Sequence, residues 1–128
     1  MLVSVWRITG PYHDAVVEAL QEHVGAEAAA SFSASRVVPD SEELYRLVVE
    51  AGFSDVAVEP CVMKTRLPPV EGFVLSHLAA TPVASAVAAA GSQVRAALAD
   101  HVSVALRAYV DGDGLTIPDE ANLLTALA

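Results

Sequence analysis

The chain opens on LVSVWRI, Leu2 to Ile8, a nearly continuous apolar and β-branched run. That is the pattern of a strand covered on both faces, since a strand with one wet face alternates apolar and polar residues. Such a strand cannot stand alone. Its faces need helices and its edges need other strands, and the rest of the chain has to supply both.

TGPY breaks the run, and Val16, Val17, Leu20 and Val24 then recur at helical spacing until Gly25, which predicts a helix over 12–24. The next piece, AEAAASFSASRVV, is ambiguous. In PDSEELYRLVVEAGF, Asp40 can cap and Glu43 follows three residues on, as in a capping box. Leu44, Leu47 and Val48 form the stripe of a helix over 41–51, closed by Gly52. Val56, Val58, Cys61 or Val62, and Met63 stand in strand order around Pro60, giving a strand over 53–66 whose proline marks an edge or a bulge.

Val70, Phe73, Val74, His77 and Leu78 share one face of a helical segment over 69–90 that breaks at Pro82. Val94, Leu98, Val102, Ala105 or Leu106, and Tyr109 line a helix over 92–110, with Ser92 as its cap. LTIPDEANLLTALA reads as a last strand over 115–127. Three strands and about five helices make one α/β domain over 1–128, with no internal repeat and no linker.

With 128 residues, 54% of them hydrophobic, the chain can bury a core without staples. Its 16 acids against 7 Lys and Arg give a net charge of −9, which repels phosphate backbones and anionic membranes, so neither nucleic acid nor a membrane is an expected partner. Cys61 stands alone and forms no internal disulfide; it reads as a small core residue. The apolar start is too short for a signal peptide and lacks a basic flank, and no window approaches the ~18 apolar residues of a spanning helix. A soluble, cytoplasmic protein is expected.

YVDGDGLTIPDEA, Tyr109 to Ala121, offers part of an EF-hand loop: Asp111, Asp113, Gly114 and Glu120 fall at the third, fifth, sixth and twelfth positions. Tyr109 is a poor first ligand, and Pro118 interrupts the exit helix, so DGDG is read instead as a hairpin-like turn using glycine for positive φ. His13 and His23 are not four apart, and no HxxxH, CxxC or HxD pair occurs, so no metal site is expected. Ser4, Ser76 and Ser103 lack the flanking glycines of a nucleophile elbow.

The succession LVSVWR, EELYRLVVEAGFSDVAVE, PPVEGFVLSHLAATPVASAV and YVDGDGLTIPDEANLLTALA resembles the C-terminal half of class I S-adenosylmethionine-dependent methyltransferases. The nearest type is the small-molecule enzymes related to ubiquinone and menaquinone biosynthesis. The resemblance runs from Leu2 to Ala128, and its most specific pieces are the EAGF turn and the final G-L-x-x-P-x-E-A strand. It implies a partial Rossmann-like fold in which the last strand lies antiparallel between the other two, in the family order five, seven, six. It further implies that Trp6 lies near a methyl acceptor and that Phe73, His77 and Leu78 belong to the helix closing over it.

His77, four residues from Phe73 on an apolar face, reads as a hydrogen-bonded core or lid histidine rather than a general base, and His101 is read the same way. S-adenosylmethionine is implied by the family, but its binding half is not matched. The one G-x-G, Gly112 to Gly114, opens a strand rather than a helix, so no cofactor is expected to bind this chain alone. The resemblance leaves two expectations. One is a truncated or split enzyme completed in trans by an N-terminal half. The other is a cofactor-free scaffold or binder of a small apolar molecule that dimerises through Leu2 to Ile8.

Overall fold

A computed structural model describes residues 1–36 and 38–128. Strand β1 (Leu2–Trp6) leads into α1 (Pro11–His23), α2 (Ala26–Ser33) and α3 (Ser41–Glu50), followed by strand β2 (Ser54–Leu67). Helices α4 (Val70–Leu78), α5 (Ala84–Ala89) and α6 (Ser92–Ala105) come next, and a 3-10 turn over Arg107–Tyr109 enters the hairpin of β3 (Val110–Asp111) and β4 (Gly114–Leu127). The fold is thus mixed α/β, with six α-helices and a four-stranded antiparallel sheet among the described residues.

The sheet order is β1-β4-β2, with β4 antiparallel to both neighbours and β3 paired only with the start of β4. Two elements were not foreseen. The undecided segment after Gly25 holds α2, whose Ala28, Ala29 and Phe32 are buried, while Val37 at its end lies outside the described residues. The other is β3, too short to carry a period of its own.

Local chemistry explains the boundaries. Pro11 opens α1 behind Gly10, as its fixed φ suits a first helical position, and Gly25 N–H closes the helix onto the Leu20 carbonyl. The Asp40 carboxylate accepts from the Glu43 backbone N–H at 2.7 Å and caps α3. Ser92 is the first residue of α6 rather than its cap; Gly91, with φ 90°, holds the cap position. The DGDG turn is a two-residue hairpin loop with Gly112 at φ 65°, and the Asp111 carboxylate is taken up by Arg66 and Thr116.

Both strand prolines keep the ladder intact. Arg7 N–H bonds to the Glu120 carbonyl, so even-numbered residues of β4 aim their backbone groups toward β1. Pro118 shares that direction but lies beyond the end of β1, and its missing N–H costs no bond. Pro60 stands opposite Asn122, so its backbone faces away from β4, onto the outer edge of β2. The bulge near Ser54, with Asp55 at φ 49°, kinks the same edge.

The main core lies where α1, α2, α4, α5 and α6 gather over the first part of β4, around Val16, Leu20, Val74, Leu78, Leu98 and Ile117. Farther along β4, Leu124 and Ala126 are buried with α3 packed against β4 and β2. β1 departs from the double burial expected of it: Val3 and Val5 are half-buried, whereas Leu2 (72% exposed), Ser4 and Trp6 face out. The reason is position. β1 is an outermost strand bonded only to β4, and among the described residues its other edge pairs with nothing. Cys61, expected in the core, is half-buried on β2. No helix among the described residues is long and apolar enough to cross a membrane.

Candidate functional site

The carboxyl end of β1 opens into a cleft of about 270 Å³ lined by Trp6, Tyr12, His13, Phe32, Ser35, Arg36, His77 and Thr81. Four elements meet there. β1 ends at Trp6, the first turn of α1 supplies Tyr12 and His13, the end of α2 supplies Phe32 and the chain just beyond it Ser35 and Arg36, and the end of α4 supplies His77 and Thr81 just after it.

One wall is an ionic stack. The Arg36 guanidinium lies 3.8 Å over the Trp6 ring, and its Nη2 reaches Asp119 Oδ1 at 3.4 Å. Asp119 also accepts from the Thr65 hydroxyl at 3.2 Å, and both members of the ion pair are largely buried. The indole face and the carboxylate thus hold the cation from two sides. Arg36 Nε remains buried without a partner.

The opposite wall is aromatic. Tyr12 Oη lies 2.8 Å from His77 Nδ1, and the His77 ring stacks on Phe73 at 5.7 Å between centroids with an 11° tilt. His13 stacks on Phe32 at 5.0 Å, and its Nε2 is buried and unpartnered. Burial lowers the pKa of His77. For His13, burial comes first and the Arg36 charge second, Asp14 opposing them in part, so this imidazole also stays neutral to lower pH than usual. Burial raises the Tyr12 pKa, keeping the phenol protonated. The phenol therefore donates to Nδ1 of a neutral His77, which leaves the His77 proton on Nε2.

The gap between the Arg36–Trp6 stack and the aromatic wall suits a planar molecule that carries an oxygen. Arg36 Nε is an unspent donor and neutral His13 Nε2 an unspent donor or acceptor, both buried beneath the surface of the cleft. The Ser35 and Thr81 hydroxyls spend their protons on the carbonyls of Phe32 and Leu78, leaving oxygen lone pairs as acceptors.

Of the residues singled out in the sequence, Trp6 and His77 line the cleft. Phe73 stands behind His77 as its stacking partner, and Leu78 is fully buried in the core. Tyr12, His13, Phe32, Arg36 and Asp119 were not anticipated. Arg36 and Asp119 are 83 residues apart, and no local spacing signals their pairing. His101 lies away from the cleft, with its Nδ1 3.2 Å from His23 Nε2 and 3.3 Å from Glu22 Oε2.

The G-x-G of Gly112 to Gly114 is not a phosphate- or cofactor-type turn opening a helix. Gly112 and Gly114 belong to the β3–β4 hairpin, where a Cβ on Gly114 would run into the Leu67 carbonyl, so this G-x-G packs against β2 rather than cradling a ligand. No known family model matches the chain, and no curated protein matches it.

Proposed function

We propose that this chain is the acceptor-binding and lid half of an S-adenosylmethionine-dependent small-molecule methyltransferase, able to hold an acceptor but not to methylate it alone. The observation that carries the reading is the cleft at the carboxyl end of β1, walled by Trp6, Tyr12, Phe32 and His77 and furnished with the orphaned Arg36 Nε and His13 Nε2. Such a cleft suits a planar aromatic bearing a carbonyl, phenol or carboxyl oxygen. The order β1-β4-β2 with β4 antiparallel to both neighbours agrees with the family resemblance.

Methyl transfer depends on holding the acceptor in line with the donor, and the residues here do the holding. Trp6 and His77 bracket the ring plane. Arg36 fixes the oxygen.

The test is calorimetric titration of the purified chain with simple phenols and aromatic acids, and separately with S-adenosylmethionine. We expect saturable binding of an aromatic probe that Trp6→Ala weakens ~10-fold or more, a loss within reach of one large aromatic contact. No response to the cofactor is expected from the chain by itself. Absence of binding by any aromatic probe would overturn the acceptor assignment, and saturable cofactor binding would overturn the dependence on another half.

The exposed outer edge of β1, with Leu2 72% exposed, favours a second reading in which the chain is a cofactor-free binder that pairs with its own copy across a two-fold axis. A solution mass of twice 13.3 kDa, together with cofactor silence, is what that reading expects.

A further inference from the structure

At the other end of α1 from the cleft, Glu22 and His23 meet His101 of α6 across the helix–helix contact. His23 Nε2 and His101 Nδ1 are 3.2 Å apart, and His101 Nδ1 is 3.3 Å from Glu22 Oε2; the three ligand atoms lie within 4.8 Å of one another. The two spacings at His101 Nδ1 match those a single small cation imposes, because bonds of about 2.0–2.1 Å at tetrahedral angles put neighbouring ligand atoms about 3.3 Å apart. The atoms border a shallow depression of about 520 Å³ that Asp100 also lines.

We propose that Glu22, His23 and His101 form a binding site for one divalent transition-metal ion of the zinc class, clamping the end of α1 to α6. Two imidazoles and a carboxylate suit zinc, cobalt, nickel or copper better than calcium or magnesium, which want all-oxygen shells. Three protein ligands leave a position open for water. Electrostatics favours the cation twice: His23 is the last residue of α1, where the helix dipole is negative, and the whole chain carries −9. The two histidines are 78 residues apart, so no motif in the sequence could reveal them as a pair.

The probe is Co²⁺, whose visible absorption reports imidazole coordination at low coordination number, followed by displacement with Zn²⁺. One ion per chain should bind saturably, and Zn²⁺ should bleach the spectrum. His23→Ala and His101→Ala should each weaken binding ~10-fold or more, at least the loss that removing an outer partner of a metal ligand causes. Glu22→Gln should weaken it less, and Glu27→Gln on α2 should leave it unchanged. Circular dichroism of each variant controls for folding.

In the unmutated protein, Co²⁺ should broaden the imidazole proton resonances of His23 and His101 and leave those of His13 and His77 sharp. Absence of saturable binding, survival of binding in the His23→Ala/His101→Ala double variant, or broadening of the wrong histidines would each overturn the proposal.

Discussion

Asp119 accounts for the glycine at position 10. Gly10 sits at φ 87°, and a Cβ there would be driven into the Asp119 carboxylate, whose bonds to Arg36 and Thr65 fix it in place. Gly10→Ala combines backbone strain with that collision and should destabilise the fold by about 1–3 kcal/mol, read from urea unfolding. It should also disturb the Arg36–Trp6 stack, so aromatic-probe affinity falls with stability. A second prediction concerns the two cleft histidines. Both have native pKa values lowered from 6.5, so the unfolded chain takes up their protons first. The stability they contribute is present above about pH 6.5 and is lost as pH falls through the lower native values. Melting temperature should drop over that window, and a His13→Asn/His77→Gln variant should show a shallower drop. At this scale the sequence was partly legible. Trp6 and His77 could be singled out only because the methyltransferase resemblance implied one near an acceptor and the other on the helix closing over it. Arg36 and Asp119 could not, since each looks like an ordinary charge until the fold brings them together.

Among the elements, periodicity located what it could reach. The helix around Leu44 and Leu47 begins at Ser41, and the strand around Pro60 spans 54–67, within a residue of the limits expected from the sequence. α2 escaped because its alanines satisfy several periods equally, and only packing makes Ala28, Ala29 and Phe32 the buried set. β1 was legible as a strand, but its burial was not, because residue type cannot distinguish a central strand from an outer one that keeps apolar residues exposed. β4 carries one costly residue. Asn122, 1% exposed between Val5 and Pro60, has no hydrogen-bond partner for either side-chain polar atom among the described residues. An unsatisfied buried amide costs about 1–3 kcal/mol, so Asn122→Leu, similar in size, should raise the urea midpoint without changing the slope. A fall in the midpoint would mean that the amide has a partner that Leu cannot replace.

For the whole molecule, the helical core covers the start of β4 and leaves β1 partly bare, and that imbalance is where a partner strand is proposed to dock. Ser4 aims its backbone N–H at the outer edge, away from β4, so Ser4→Pro removes an edge donor while sparing the β1–β4 ladder. The variant should fold, with circular dichroism unchanged, and should lose either self-association or capture of an N-terminal half, its sedimentation mass staying at 13.3 kDa. Retention of the larger mass would place the contact elsewhere. The opposite border of the sheet is guarded: Pro60 withholds its donor, the bulge near Ser54 kinks the strand, and Lys64 and Arg66 add charge. A sheet open on one side and sealed on the other can be extended once and then must stop. Pro60, which keeps the ladder intact, therefore also acts as a chain terminator for assembly, allowing a finite pair while denying the repeated addition from which fibres grow.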